Sequence, residues 1–311
     1  MKLISIVTPC YNEEENVEAV YSEVKQIFEN LKDYRYEHIF IDNASKDKTV
    51  QILKGIAKDD KNVKIIVNVR NFGHIRSPYH AFLQAKGDAV IFSIVADLQD
   101  PPSMIADFIK KWEEGYKIVI GIKKSSKENS IMFWIRRFYY NLIDRIAETE
   151  HINDFTGFGL YDRSFIDILK RLDEPYPYFR GLVAELGSER IEIEYEQHKR
   201  KRGKTKNNFY TLYDIAMLGF VNHSKVPLRM ASFIGFTMAC ASMFVAIVYL
   251  VYKIIFWYRF TVGIAPVVIG FFFFASIQLF FIGMIGEYIN AIYTQVKGRP
   301  LVIEKERINF D

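Results

Sequence analysis

The sequence predicts an α/β fold, a doubly wound and mainly parallel sheet, followed by two C-terminal transmembrane helices. Three observations predict it. Over residues 1 to about 122, short β-branched runs alternate with longer polar, helix-like stretches. Such alternation builds βαβ units with right-handed crossovers. No charged residue occurs from Met230 to Tyr252, and none from Phe260 to Gly286. At about 1.5 Å of rise per residue, each run is long enough to cross a hydrocarbon core of about 30 Å.

The elements follow in order. LISIVTP (3–9) reads as a buried strand and Glu13 to Leu31 as an amphipathic helix. HIFID (38–42) is a second strand, and the helix after it ends near Lys58. VKIIVNV (63–69) is a third strand, Pro78 to Lys86 a helix, and AVIFSIVAD (89–97) a fourth strand. Asp-Pro-Pro (100–102) opens another helix, with proline tolerated in its first turn, and KIVIGI (117–122) is a fifth strand. Residues 123 to about 150 begin as a basic loop and become an amphipathic aromatic helix around Phe133 to Tyr140. Residues 151 to 200 carry sheet-like signal, including RIEIEYEQ. These readings give a catalytic-type domain over 1–208, an amphipathic juxtamembrane helix over 209–229, spans at 230–252 and 260–286, and a polar tail over 287–311.

Composition narrows the function. The 311 residues carry 41 Lys plus Arg against 37 Asp plus Glu, a net charge of +4, too weak to argue for nucleic acid. The two cysteines, Cys10 and Cys240, exclude a disulfide scaffold and a cysteine zinc site. The N-terminal apolar run is short and lacks a small-residue cleavage site, so no signal peptide is expected. Lys225, Arg229, Lys297, Arg299 and Lys305 flank the outer ends of the spans, against Lys253 and Arg259 between them. That asymmetry predicts a multi-pass protein of the inner (plasma) membrane with both termini cytoplasmic. Small residues in both spans permit helix association and homo-oligomers. There is no H-E-x-x-H, G-x-S-x-G or P-loop, and the first strand's turn, T-P-C-Y-N-E-E, is not a dinucleotide-binding G-x-G-x-x-G.

Ligands of doubly wound sheets bind beyond the carboxyl ends of the strands. That rule should gather Pro9 to Asn12, Asp42-Asn43, Asn68 to Gly73 and Asp97-Leu98-Gln99 on one rim. Asp97 offers oxygen to a hard divalent cation shared with a phosphate, or else caps a helix. Asp42 accepts hydrogen bonds from a base or ribose, or else caps the helix behind it. Arg200, Arg202, Lys204 and Lys206 around Gly203 grip phosphate, or else form the basic flank of the membrane segment.

Together these pieces resemble family 2 glycosyltransferases of the polyprenyl-phosphate type, similar to dolichol-phosphate mannosyltransferases and bactoprenol glucosyltransferases. The resemblance rests on I-V-T-P-C-Y-N-E-E-E-N (6–16), I-D-N-A-S-K-D-K-T (41–49), N-V-R-N-F-G (68–73), A-D-L-Q-D-P-P (96–102), T-G-F-G-L-Y-D-R (156–163), R-K-R-G-K-T-K (200–206) and I-G-E-Y-I (285–289), in order over nearly the whole chain. It implies a GT-A fold and an inverting hexosyltransferase of the cell-envelope glycan type. The donor would be a UDP- or GDP-sugar and the acceptor a polyprenyl phosphate such as undecaprenyl phosphate, with a flippase acting on the product. It implies Mg²⁺ or Mn²⁺ on Asp97 and Gln99. Pro9, Tyr11, Glu13, Asp42 and Asn71 would sit around the donor, and Arg200 and Lys206 on its phosphates. Asp154 is the carboxylate nearest to the altered T-G-F-G segment. Departures from the family pattern are Val95 and Asn43 where it has Asp, Ala44 where it has Gly, and T-G-F-G where it has T-G-D-F. A hydroxyl acceptor needs a base, whereas a phosphate monoester is mostly dianionic at pH 7 and attacks without one. A glycolipid synthase acting on a lipid hydroxyl and a non-catalytic paralogue are the alternatives.

Overall fold

A computed structural model describes residues 1–92, 94–124, 152, 154–172, 174, 177–186, 189–197, 226–256 and 264–310. Its centre is an eight-stranded sheet: β1 (Lys2–Cys10), β2 (Tyr34–Asp42), β3 (Val63–Asn68), β4 (Ala89–Phe92), β5 (Ile118–Lys123), β6 (Phe155–Asp162), β7 (Arg190–Tyr195) and β8 (Glu304–Ile308). The spatial order is β7-β5-β6-β4-β1-β2-β3-β8. β1 pairs in parallel with β2 and β4, β2 with β3, and β5 with β7. β6 runs antiparallel to both β4 and β5, and β8 antiparallel to β3. Six strands therefore point their carboxyl ends at one rim, and β6 and β8 begin there.

The helices of this domain are α1 (Val17–Asn30), α2 (Thr49–Asp59), α3 (Gly73–Gln84), α4 (Ile105–Glu113), α5 (Arg163–Leu172) and α6 (Phe179–Leu186). Strand side chains alternate between two cores, as the period of two requires. Ile4, Ile6, Phe40, Ile65 and Leu160 pack with Val20 and Val24 of α1, Leu53 of α2 and Phe108 of α4. Val7, Ile39, Ile41, Ile66 and Tyr161 pack with Phe82 of α3, Phe165 of α5 and Leu182 of α6.

The predicted order of strands and helices through β5 is observed, with shifts at the boundaries. β4 stops at Phe92 rather than continuing to Asp97, because the chain turns at 95–98, where Leu98 N–H bonds Val95 O at 3.1 Å. α3 starts at Gly73, five residues before Pro78, which lies inside the helix. Helices α5 and α6 occupy part of a region that reads as sheet. The expected aromatic helix around 133–140 lies outside the described residues, as does most of the expected juxtamembrane helix.

Two long apolar helices follow, α7 (Val226–Ile255) and α8 (Ile264–Val296). Large apolar side chains such as Phe233, Phe236, Phe271 and Phe280 stand exposed on them. Among the described residues, one stretch, Phe273–Val296, is long and apolar enough to cross a membrane, and none of it is buried. The helix that contains it runs from Ile264 past the first charge at Glu287 to Val296. Beyond α8 the chain does not trail away. It returns to the sheet as β8, with Val302 buried and Val69 N–H bonding Ile303 O at 3.0 Å.

Candidate active site

The rim is built from loops knitted by their own polar side chains. After β1, Asn12 N–H donates to Ser45 Oγ (2.8 Å), and Asn12 Oδ1 accepts from Lys46 N–H (2.7 Å). Glu13 N–H donates to Thr49 Oγ1 (2.9 Å), and the Glu13 carboxylate accepts from Asn16 Nδ2 (2.6 Å). The loops after β1 and β2 thus form one unit, with Pro9 and Tyr11 half-buried along it.

Asp42 ends β2 opposite Cys10. It is fully buried, and its two oxygens accept from Ser45 N–H (2.9 Å) and Ser45 Oγ. Burial raises its carboxyl above the ordinary range, against the opposing pull of those hydrogen bonds. Asp42 does not cap α2, which starts at Thr49; its oxygens close the turn after β2 and shape the loop that reaches the rim. Asn43 spans the gap to the next loop. Its Nδ2 donates to Asn71 Oδ1 (3.0 Å) and Gly73 O (3.0 Å), and its Oδ1 accepts from Phe72 N–H (2.9 Å) and Asn68 Nδ2 (3.2 Å). Asn71 Oδ1 also accepts from Gly73 N–H (2.8 Å), so its acceptor serves the loop itself.

Past β4, Asp97 Oδ1 accepts from Gln99 N–H (3.1 Å), and both side chains are half-buried at the rim. Asp154 stands exposed just before β6, where its carbonyl accepts from Lys123 N–H (3.3 Å). Among the expected site residues, Pro9, Tyr11, Glu13, Asp42, Asn71, Asp97, Gln99 and Asp154 all come to this rim. Arg200 and Lys206 lie outside the described residues. β7 ends on the same rim at Tyr195, a few residues before that basic segment. Sequence reading missed the rim residues Lys123 and Tyr195, for which position at a strand end was the one available signal, and it gave Asn43 no bridging role.

The rim also concentrates backbone strain. Asn12 (φ 53°), Ala44 (φ 62°), Leu98 (φ 58°) and Asp154 (φ 54°) are left-handed non-glycine residues, one in each loop beside β1, β2, β4 and β6. Each such conformation costs about 1–2 kcal/mol and persists where surrounding contacts impose it, most often at functional sites.

The donor set of Asp97 and Gln99 is oxygen only, which suits Mg²⁺ or Mn²⁺ rather than zinc. Among the described residues no group of three or more His, Cys, Asp or Glu could hold a metal. Substrate phosphates would have to complete the shell, as they commonly do for Mg²⁺. The residues present fit a cation that is shared with a diphosphate.

A parallel sheet with an inserted antiparallel strand and a strained, acidic carboxyl-end rim is a GT-A-like mixed α/β domain. Residues 5–169 match glycosyl transferase family 2, and the chain belongs to that family. It is 34% identical over 308 residues to the uncharacterized glycosyltransferase YkcC of Bacillus subtilis, covering 99% of this chain and 94% of that protein. It is 33% identical to the putative glycosyltransferase CsbB of the same organism, covering 98% of this chain and 92% of that protein. It is 31% identical to the bactoprenol glucosyl transferase of Shigella phage SfII, covering 97% of each.

Proposed function

We propose that this protein is an inverting hexosyltransferase that moves a sugar from a nucleotide diphosphate onto a polyprenyl phosphate at the cytoplasmic membrane face. The observation that carries the reading is where the membrane helices join the domain. The segment leaving α8 reaches the rim itself: Arg76 of α3 donates to Pro300 O at 3.1 Å, and Glu304 pairs with Asn68 at the carboxyl end of β3. A site on that rim lies beside the lipid surface, where a lipid-phosphate acceptor presents its headgroup. The similarity to a bactoprenol glucosyl transferase over 97% of each chain supports the same acceptor class.

In this reading the β1 and β2 loops, with Pro9, Tyr11 and Glu13, surround the base. Asp42 and Asn71 hold those loops in shape. Asp97 and Gln99 would hold a divalent cation that neutralises charge building on the leaving diphosphate. Arg200 and Lys206 clamp phosphate oxygens. The acceptor phosphate is mostly dianionic at pH 7 and needs no base, so Asp154 is dispensable for it. A lipid hydroxyl would need one, and Asp154 would then be essential.

The test is transfer in membranes from radiolabelled UDP- and GDP-sugars to undecaprenyl phosphate, with Mg²⁺ or Mn²⁺ and with EDTA. A labelled lipid is expected, abolished by EDTA and by Asp97→Ala and retained in Asp154→Asn. Absence of product from every donor, with folded protein, overturns the assignment. Loss of product in Asp154→Asn favours a hydroxyl acceptor.

A further inference from the structure

α8 does not end where its charge-free run does. Beyond Gly286 it continues for about three turns, to Val296. On these turns Ile289, Ile292, Tyr293 and Val296 are 58–81% exposed. Their spacing of i, i+3, i+4 and i+7 sets them on one face. The opposite face, with Glu287, Ala291 and Thr294, is half-buried, and Gln295 Nε2 donates to Glu174 of the domain (2.9 Å). The apolar face therefore looks away from the domain. Apolar surface resumes beyond the helix. Val69, just after β3, and Ile303, just before β8, are joined by the bond from Val69 N–H to Ile303 O (3.0 Å), and their exposures are 48% and 55%. In the register that sets Asn68 against Glu304 they lie opposite each other, on one face of the sheet edge. Cations frame this surface. Lys297 and Arg299 follow α8, Lys305 follows Ile303, and Arg70 follows Val69, all exposed. Among the described residues none of the four pairs with a carboxylate; Arg70 lies over the Phe72 ring at 4.1 Å and Lys297 over the Tyr293 ring at 4.7 Å. The acids of β8 are engaged elsewhere, Glu304 by Arg307 and His80, Glu306 by Lys54.

We infer that this surface is a membrane foot. The last turns of α8 and the Val69–Ile303 edge lie in the headgroup layer of the bilayer that α8 enters. Their apolar side chains meet the acyl boundary, and Arg70, Lys297, Arg299 and Lys305 meet anionic phospholipid headgroups. Helices with one apolar face and basic flanks settle at that depth, tyrosine is favoured there, and each Lys or Arg near an anionic leaflet adds attraction. The contact rests on the reading that α8 crosses a membrane. Its consequence is that the sheet edge itself, and not a helix tether alone, holds the rim against the lipid.

The experiment places the fluorophore NBD on single cysteines of the full-length protein, in the Cys240→Ala background with the buried Cys10 left in place. The protein is reconstituted in nanodiscs of mixed phosphatidylcholine and phosphatidylglycerol. Reporters at Val69→Cys, Ile292→Cys and Ile303→Cys should lose fluorescence to a phospholipid bearing a nitroxide on its headgroup. Glu29→Cys, exposed at the end of α1 far from the rim, should not. Phe280→Cys, in the apolar run of α8, should be quenched by a nitroxide deep in the acyl chain and reports the crossing itself. Should an edge variant not fold, Arg299→Cys reads the same depth. Arg70→Gln with Lys305→Gln should lower the docked-to-undocked ratio at position 303 about fivefold per cation lost. Phosphatidylcholine alone should lower it likewise in the chain that keeps those cations. Quenching at 69 and 303 no greater than at 29, with position 280 quenched, overturns the foot and leaves the crossing standing. No quenching at 280 overturns the crossing, and the foot with it. Quenching at 69 and 303 that ignores both the charge variants and the lipid composition overturns the role of the cations.

Discussion

Asn43 shows how one residue type can be required by bonding alone. Both hydrogens of its amide group donate, and its carbonyl oxygen accepts twice, all with residues between Asn68 and Gly73. An aspartate there could accept from Phe72 and Asn68 but could not donate, and its charge would face the oxygens of Asn71 and Gly73. Asn43→Asp is therefore expected to destabilise the domain by about 2–3 kcal/mol, two lost bonds plus repulsion. Denaturant unfolding checks this, and unchanged stability would remove Asn43 from its bridging role. The sequence made Asn43 visible as a departure from a family pattern but not as a bridge, because its partners come from β3 and the loop beyond it. The same limit applied to Asp42. Its place on the rim was legible from the strand end, whereas the loss of all exposure and the capture of both oxygens by Ser45 depend on packing.

At the scale of elements, β1 to β5 were legible because most of each is buried on both faces and reads as an apolar run, as in Ile39-Phe40-Ile41. β8 was not legible. Its sequence, EKERI, carries no apolar run and alternates between half-buried and exposed positions. An edge strand needs only backbone pairing on one side, and charged side chains guard the other against further pairing. Lys54 with Glu306 (2.6 Å) and His80 with Glu304 (2.6 Å) stitch it to the domain, and Asn309 Nδ2 donates to Ala57 O and Val63 O at 2.8 Å each. β8 thus covers an otherwise open edge of β3. Truncation after Pro300 would expose that edge and delete a short ladder. The expected loss is about 3 kcal/mol, roughly 6–12 °C in melting temperature for a domain of this size, together with aggregation visible by size-exclusion chromatography in detergent. A truncated protein that stays monodisperse and melts like the full chain would mean that β8 adds little.

For the whole molecule, the return of β8 constrains the topology. β7 and β8 belong to one sheet, so Tyr195 and Glu304 lie on the same side of any bilayer. The crossings between them must be even in number. α7 and α8 have 30 and 33 residues, about 45–50 Å at 1.5 Å per residue, more than the roughly 30 Å hydrocarbon core. Helices lying flat would need a polar face, yet Met230 to Tyr252 and Phe260 to Gly286 carry no charged residue, and Phe233, Phe236, Phe244, Phe271, Phe273 and Phe280 are all exposed. We propose two crossings, which satisfy both constraints. The positive charges then fall on the domain side, at Lys225, Arg229, Lys297, Arg299 and Lys305. In cells carrying the Cys240→Ala background, an impermeant maleimide should label Thr261→Cys, between the helices, without lysis. It should label Glu29→Cys, exposed on α1, and a cysteine added after Asp311 only once the membrane is opened. Labelling of position 261 and position 29 from the same side would rule out the paired crossing. It would also remove the argument that places the rim beside the lipid, because the segment leaving α8 would no longer emerge from a membrane-spanning helix.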